Sequence, residues 1–348
     1  MTDIKVILCA HAARYPNMEP RDAVKLLYQA TFGGGHILRD PEAAARFLSE
    51  ERKSVEKREK ALTEEIGGGY HRVYLDSKAG EKLSDAVLTR AFVLSNQDIP
   101  DAKELFSERL EALTELTDAG RMPFSPDELR AYLQEYHKAG YPMVSHTDGY
   151  REAYHPAYRV MKTGFARLLP VIEAIENAHE KTTVIVIDGR AASGKTTLAG
   201  YLKEFYPSAA LIHMDDFFLP PALRTPERYR EPGGNVDYDR FREEVSEKIG
   251  RGPFSYRRFD CSAMALADDV DVPDTGLIVI EGSYAMHPKL GLCPTAAFFS
   301  DVDPAEQLER IVLRNGEQGK KMFASRWIPL EEAYFEAFDC RGRADKII

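Results

Sequence analysis

The residues with the clearest chemical potential form a Gly-x-x-x-x-Gly-Lys-Thr sequence, the Walker A pattern, at positions 189–196. The glycines of such a loop let backbone N–H groups turn inward around phosphate oxygens, and the following helix adds partial positive charge. In this pattern Lys195 reaches the β- and γ-phosphates of a nucleotide, and the hydroxyl of Thr196 is a ligand for Mg²⁺. The pattern therefore predicts binding of ATP and Mg²⁺. The predicted nucleotide-binding residues are Gly189, Ala191, Ala192, Ser193, Gly194, Lys195, Thr196 and Thr197.

The sequence on both sides of this loop supports the interpretation. Residues 183–187 form a short β-branched run typical of a buried parallel strand, and residues 197–205 have helix-compatible spacing. Strand, glycine loop and helix thus follow one another in the order that a phosphate loop requires. The alternative, a chance match in a glycine-bearing turn, is disfavoured because all three elements agree.

Two acidic residues follow other candidate strands. Asp215 comes after residues 210–214, where its carboxylate would orient an acceptor hydroxyl and take its proton in phosphoryl transfer. Capping of a turn is an equally weighted alternative for this aspartate. Glu281 ends the apolar run 277–280 and would hold Mg²⁺ together with Thr196. A purely structural role for Glu281 is disfavoured, because an unpaired buried charge is costly.

Two arginines lie four residues apart in a predicted helix. Arg310 and Arg314 would project from the same face, where their planar guanidinium groups could clamp a transferring phosphoryl group. Surface salt bridges to Glu306 or Glu309 are the alternative. We predict Lys195, Asp215, Arg310 and Arg314 as the catalytic residues.

Four short apolar runs, alternating with helical patterns, predict the parallel sheet that positions these side chains: residues 184–187, 210–214, 277–280 and 296–299. Ligands of open α/β sheets bind at the carboxyl ends of the strands, where the motifs lie. The predicted fold of residues 179–348 is therefore a doubly wound α/β domain of the P-loop NTPase class. A helix over residues 165–179, with Pro170 in its first turn, precedes the boundary.

Residues 1–178 predict a mostly helical domain of unknown role, without a catalytic motif of known mechanism. Helical patterns cover residues 21–31, 41–62, 83–94, 102–116 and 126–136. The segment 146–159 is dense in His, Tyr and Arg. It indicates either an anion pocket, formed by Arg151, Arg159 and the glycines at 33–35, or a polar interface between domains.

Composition narrows the function classes. The chain has 348 residues and a formal net charge of −10, which argues against nucleic acid as a partner because nucleic-acid binding needs a basic face. It contains no apolar run long enough to span a membrane. The four cysteines are scattered without a Cys-x-x-Cys pair, which favours a reducing, cytoplasmic location.

Residues 189–335 resemble the uridine kinase branch of the P-loop nucleoside kinases, which also includes relatives that act on pantothenate and ribulose phosphate. The resemblance rests on the segments at 189–197, 214–218 (Met-Asp-Asp-Phe-Phe), 235–241 (Asn-Val-Asp-Tyr-Asp-Arg-Phe), 279–284 and 310–314. It implies that Asp215 is the catalytic base, that Glu281 helps to hold Mg²⁺ and that Asp237 contacts sugar hydroxyls. The family's Asp-His-Pro triplet is absent, and Asp237-Tyr238-Asp239 stands in its place.

The acceptor is the least determined part of the prediction. Tyr256 could stack on a nucleoside base, although a core position is the commoner fate of such an aromatic residue. We predict transfer of the γ-phosphoryl group of MgATP to a hydroxyl of a small-molecule substrate, foremost the 5′-hydroxyl of a nucleoside such as uridine. The alternatives are a kinase for a non-nucleoside alcohol and a regulatory NTP-binding switch.

Overall fold

A computed structural model describes residues 3–34, 40–96 and 101–348 of the chain. The chain divides into two compact units, Met1–Ala166 and Arg167–Ile348, here called the N-terminal and the C-terminal unit. The predicted domain boundary after residue 178 stays a prediction, because a division into compact units does not by itself define domains.

The N-terminal unit is mostly helical, as the sequence predicts. Its helices are α1 (Ile4–Arg14), α2 (Pro20–Phe32), α3 (Pro41–Ser54), α4 (Asp85–Ser95), α5 (Lys103–Asp118), α6 (Pro126–Lys138) and α7 (Asp148–Tyr154). Helices α2 and α6 both begin with a proline in the first turn and a capping box, which together satisfy free N–H groups at the helix start. The core of the unit includes Leu8, Leu27 and Leu113, all of them fully buried.

The unit also contains an antiparallel sheet that the sequence analysis did not predict. Its strands β1 (Thr63–Gly67), β2 (Tyr70–Tyr74) and β3 (Tyr158–Lys162) pair in the order β1-β2-β3. The helix predicted over 41–62 was therefore too long, since α3 ends at Ser54. The glycines between β1 and β2 form the turn, and a Cβ on Gly68 would lie 1.8 Å from the carbonyl oxygen of Ala30. Of the other glycine cluster, Gly35 lies outside the described residues.

The C-terminal unit is built around a five-stranded parallel sheet, which confirms the predicted fold class. Its strands are β4 (Thr183–Gly189), β5 (Ala210–His213), β8 (Leu277–Glu281), β9 (Ala296–Ser300) and β10 (Lys346–Ile347), in the order β10-β9-β4-β8-β5. A separate antiparallel pair, β6 (Phe254–Asp260) and β7 (Ala265–Val272), was not predicted. Helix α8 (Thr163–Glu176) begins at the end of the N-terminal unit and continues into the C-terminal unit. The other helices of the C-terminal unit are α9 (Lys195–Phe205), α10 (Pro226–Arg230), α11 (Tyr238–Phe241), α12 (Pro304–Met322), α13 (Ile328–Ala337) and α14 (Cys340–Arg343).

Strand β4 lies in the middle of this sheet, and all seven of its residues are buried. Its β-branched residues suit a strand that is covered on both faces. Because β4 pairs with β8 on one side and β9 on the other, the strand order reverses at this point. The carboxyl end of such a strand is the place where ligands of open α/β sheets bind.

Helix α8 corrects one detail of the sequence analysis. It starts at Thr163, so that Pro170 lies in its interior and not in its first turn. A proline inside a helix lacks the N–H that would bond to the carbonyl four residues earlier. In the part of the chain that the structure describes, no helix is both long and apolar enough to cross a membrane.

Candidate active site

The loop 189–196 has the backbone geometry of a phosphate cradle. Gly189 and Gly194 have φ angles of 138° and 97°, and Ala192 has a φ of 58°. A Cβ on Gly189 would lie 2.0 Å from the carbonyl oxygen of Ser300, so only glycine fits at that point. Helix α9 starts at Lys195, directly after the loop, with its free N–H groups at the loop. The residues present therefore fit the phosphate groups of a nucleotide.

Lys195 lies along this loop. Its Nζ donates hydrogen bonds to the carbonyl oxygens of Gly189 and Arg190, both at 2.8 Å, and lies 3.4 Å from Oγ of Ser283. The side chain is mostly buried. All three partners are uncharged, so that the ammonium group remains available to an anion. The structure thus places Lys195 where the sequence predicts it.

An oxygen pair suited to a divalent cation lies next to the loop. The Thr196 hydroxyl donates to Oε1 of Glu281 at 3.0 Å, and Glu281 is buried at the end of β8. Mg²⁺ prefers oxygen ligands and commonly uses one or two carboxylates together with substrate phosphates. The two predicted metal ligands are therefore brought together, and their chemistry fits Mg²⁺.

The sequence analysis missed His213, the last residue of β5. Its Nδ1 lies 2.6 Å from Oε1 of Glu281, the same oxygen that Thr196 contacts. The hydrogen bond and the charge of Glu281 raise the pKa of His213. The signal was a polar residue at the end of a buried strand, but only the pairing of β5 with β8 shows which carboxylate it meets.

The two aspartates that follow β5 differ in their surroundings. Asp215 has an exposed face, while enclosure by the protein and the nearby Glu281 carboxylate raise its pKa. Asp216 is buried and accepts a hydrogen bond of 2.9 Å from the hydroxyl of Tyr256. Asp215 is thus the member of the pair with an accessible carboxylate, and Asp216 is an anchor within the core.

The two predicted substrate residues lie near these aspartates but are already engaged. The Tyr256 ring is buried against Phe217, with ring centroids 5.1 Å apart, and its hydroxyl is bound to Asp216. Asp237 caps α11 by accepting from the N–H of Arg240 at 3.2 Å. The Arg240 guanidinium also donates to the carbonyl oxygen of Asp216 at 2.5 Å, which ties the two segments together.

Of the two predicted arginines, only Arg310 meets the loop. Its Nη1 donates to the carbonyl oxygen of Ala192 at 3.1 Å, and its Nη2 pairs with Glu306 at 2.8 Å. Arg314 instead bonds to the side chain of Asn315 and lies over the ring of Phe323. Shortly after it, Gly316 interrupts the helical backbone with a φ of 69°. The salt bridge of Arg310 to Glu306 is thus present, and its role as a phosphoryl clamp stays a prediction, whereas the structure does not bring Arg314 to the loop.

A second arginine at the loop was not predicted. Nη1 of Arg167 lies 3.4 Å from the carbonyl oxygen of Ser193, and Nη2 donates to the carbonyl oxygen of Ile348 at 3.1 Å. In the described parts of the chain, no Asp or Glu side chain forms an ion pair with it. No sequence signal distinguishes this residue, because it lies on α8, well before the loop.

Two buried carboxylates organise the loop, and neither was predicted. Asp188 accepts from the N–H groups of Tyr284 and Met286, at 3.1 and 2.8 Å, and so fixes the segment after β8. Glu331 accepts from the N–H of Ala191 at 2.9 Å and from the hydroxyl of Ser283 at 2.7 Å. Burial raises the pKa of Glu331. A loop amide therefore already holds an acidic oxygen, which is the kind of partner that a phosphate would supply.

Comparisons with known proteins agree with the resemblance seen in the sequence. Uridine-cytidine kinase C of Dictyostelium discoideum is 25% identical over 130 residues, which are 36% of this chain and 29% of the relative. Nicotinamide riboside kinase 1 of Homo sapiens is 29% identical over 102 residues, 29% of this chain and 49% of the relative. The chain thus spans less than a third of the length of the first curated relative and about half of the length of the second.

Among solved structures, a possible uridine kinase from Bacillus stearothermophilus matches 53% of this chain and 97% of its own, with a TM-score of 0.43 and 20% identity. No family model matches the chain. The curated relatives bear out the predicted resemblance to uridine-kinase-like P-loop kinases.

Proposed function

We propose that the C-terminal unit transfers the γ-phosphoryl group of ATP to the hydroxyl of a small molecule, foremost the 5′-hydroxyl of a nucleoside. The observation that carries the proposal is the contact of Thr196 with Glu281 at the mouth of a glycine loop, with the accessible carboxylate of Asp215 after the neighbouring strand. A phosphate loop alone would also suit a regulatory switch. An acceptor-side carboxylate with a raised pKa is what a kinase needs in addition.

In this mechanism Lys195 exchanges the carbonyl oxygens of Gly189 and Arg190 for phosphate oxygens, and the loop N–H groups bind the remaining ones. Thr196 and Glu281 would hold Mg²⁺, and the ion would supply positive charge that offsets the charge of the phosphates. Arg310, already in contact with the loop, stabilises the transferring group.

Asp215 orients the acceptor hydroxyl and takes its proton. A bond then forms between the acceptor oxygen and the γ-phosphorus, and the bond from that phosphorus to the bridging oxygen breaks, which releases ADP. The raised pKa of Asp215 favours this step, because a carboxylate that binds a proton more readily is a better base.

The nucleoside is the favoured acceptor because both curated relatives are named as nucleoside kinases. In this proposal Asp237 would bind sugar hydroxyls. The Tyr256 ring is buried and its hydroxyl is bound to Asp216, so this residue offers no free surface to a base, and this favours keeping a non-nucleoside alcohol as the second candidate. A small-molecule partner in the cytoplasm, without nucleic acid or membrane, belongs to the same proposal.

The test is release of ADP from MgATP across a panel of nucleosides and small alcohols. We expect stimulation by uridine or cytidine, with the Lys195→Ala variant of the full chain as the blank. Stimulation by a non-nucleoside alcohol alone would support the second candidate. Lys195-dependent hydrolysis that no member of the panel changes would contradict the kinase and favour a switch.

A further inference from the structure

The N-terminal unit contains a cavity of about 430 Å³ whose walls carry an excess of cationic side chains. It is lined by Lys25, Arg151 and Arg159, and among the described residues on its wall Glu51 is the only acid. With neutral histidines the walls carry a net positive charge, in a chain whose formal net charge is −10. Positive charge is therefore concentrated at this cavity, although acidic residues outnumber basic residues in the whole chain.

Lys25 has no ion-pair partner among the described residues. In the part of the chain that the structure describes, its ammonium group donates only to the carbonyl oxygen of Val144, at 3.3 Å. Burial and the nearby guanidinium groups of Arg72 and Arg151 lower its pKa to about 8, and they outweigh the opposite effect of the Asp22 carboxylate. A lysine held away from water and close to other cations is destabilised in its charged form, and an anion in the cavity would remove that penalty.

The two arginines of the cavity differ in their partners. Arg159 is buried and forms an ion pair of 2.7 Å with Glu51, so their charges balance. Arg151 is exposed, and it has no ion-pair partner within residues 3–34, 40–96 and 101–348. The chain after Arg151 is held at His155 in the left-handed region, with a φ of 44°, which a residue other than glycine rarely adopts. Arg151 and Lys25 are thus the two cations whose charge the cavity leaves free.

A rigid neutral wall adjoins these cations. Nδ1 of His146 lies 2.8 Å from the buried Asp22 carboxylate, Nε2 lies 2.7 Å from the Tyr158 hydroxyl, and the ring stacks on Tyr150 at 4.1 Å. Burial lowers the pKa of His146 to about 4, so the ring is neutral and bridges the two groups. Gln29 extends this network from Tyr158 to the buried guanidinium of Arg72. Ordered polar groups of this kind give a site its orientation without adding charge.

We infer that this cavity binds a small phosphate monoester, such as a sugar phosphate or a nucleoside monophosphate. Lys25 and Arg151 supply the charge for the phosphate group, and arginine forms paired hydrogen bonds with phosphate oxygens. Phe92, Val55 and Val160 line the rest of the cavity and provide an apolar surface for the remainder of the molecule. The volume lies in the range of small-molecule sites. The inference is independent of the proposed kinase, because every residue in it belongs to the N-terminal unit.

Titration calorimetry on the full chain tests this inference, with inorganic phosphate, ribose 5-phosphate and uridine monophosphate as probes and unphosphorylated ribose as the neutral control. We expect at least one phosphate monoester to bind with a Kd below about 1 mM and ribose not to bind. The titrations are repeated in the Lys195→Ala variant, so that binding at the phosphate loop is separated from binding in the cavity. Failure of the kinase and failure of the cavity are then distinguishable.

Variants locate the site. Arg151→Gln and Lys25→Gln should each weaken binding of the phosphate monoester by about tenfold or more. Arg121→Gln, which removes an exposed arginine of the same unit outside the cavity, should leave the Kd unchanged. Arg151 is exposed, so its variant is expected to fold, and circular dichroism checks this. The inference is overturned if none of the three phosphate probes binds to the Lys195→Ala protein, or if Arg151→Gln binds as tightly as the parent.

Discussion

The candidate anion sites of the two units differ in construction. In the C-terminal unit, backbone N–H groups and one lysine form the site on a tight glycine loop at the end of β4. In the N-terminal unit, side chains from α2, α7 and β3 surround a cavity. A site made of backbone N–H groups needs glycines at set positions and can therefore be recognised in the sequence. A site made of side chains from distant segments has no such local requirement.

The same contrast appears in two histidines. Burial lowers the pKa of His146 in the N-terminal unit to about 4, whereas a hydrogen bond to Glu281 raises the pKa of His213 in the C-terminal unit. Both rings contact a carboxylate, Asp22 in one unit and Glu281 in the other. His146 is deeply buried and lies near Arg72, while the side chain of His213 is 39% exposed. Solvent access and neighbouring cations, not the presence of an acid, decide the sign of the shift.

Replacement of Lys195 has the largest expected effect and tests whether the two candidate sites are independent. Lys195→Ala should lower kcat for phosphoryl transfer by roughly a hundred- to a thousandfold, since one preorganised electrostatic contact to the reacting group is lost. Binding of a phosphate monoester in the N-terminal cavity should persist. Arg151→Gln should show the reverse, with the Kd changed and kcat retained. Loss of both activities in either variant would contradict the separation of the two sites.

The second largest effect is expected from Asp215→Asn. It should reduce kcat by about a hundredfold, because an amide cannot accept the hydroxyl proton, while ATP binding stays near that of the parent. The matched control is Asp239→Asn, an exposed aspartate on α11 whose loss should not change the rate. Steady-state kinetics and nucleotide titration separate the two effects. Transfer at the parental rate in Asp215→Asn would exclude this residue as the base.

The histidines predict opposite pH effects on stability. The unfolded chain binds a proton at His146 near pH 6.5 and the folded chain only near pH 4, so acidification through this window costs about 1.4 kcal/mol of stability per pH unit. His11, with a pKa lowered to about 3, acts with the same sign. His213 acts oppositely, because its raised pKa gives stability at low pH that is lost as the pH rises through its folded pKa.

Denaturation at several pH values measures this difference. The single tryptophan, Trp327, belongs to the C-terminal unit, so its fluorescence reports that unit, whereas circular dichroism reports both. His146→Gln should weaken the pH dependence of the unfolding free energy measured by circular dichroism. It should leave the unfolding transition measured by fluorescence unchanged. An equal pH slope in the parent and in the variant would show that His146 is not the titrating group.

The smallest expected effect is a difference in kcat between variants of the two arginines of α12. Arg310→Gln should lower kcat by roughly fivefold, because this partly exposed side chain contacts the loop at Ala192. Arg314→Gln serves as the matched variant and should stay close to the parental rate, since its contacts are with Asn315 and Phe323. A larger loss in Arg314→Gln would mean that the helix rearranges around Gly316 during turnover.

Much of the C-terminal unit could be predicted because its signals are local. Four predicted strands match β4, β5, β8 and β9 within two residues of their ends. The short strand β10 escaped prediction because two residues carry no usable periodicity. In the N-terminal unit the charged segment after Ser54 continued a helical pattern, while the structure ends α3 there and forms β1 from Thr63. Residues 55–62 lie between these elements, and Arg58 forms an isolated bridge with Ser77 there.

The sequence by itself determined the glycine loop, the two candidate metal ligands Thr196 and Glu281 and the parallel sheet beneath them, because glycine requirements, strand ends and buried β-branched runs are properties of adjacent residues. Only the tertiary structure decided that Arg310 and Arg167 meet the loop and that Glu331 bonds to Ala191. It alone also gathered Lys25 and Arg151 around one cavity. These contacts join residues that lie far apart along the chain, and their energies depend on burial and on neighbours that no local pattern encodes.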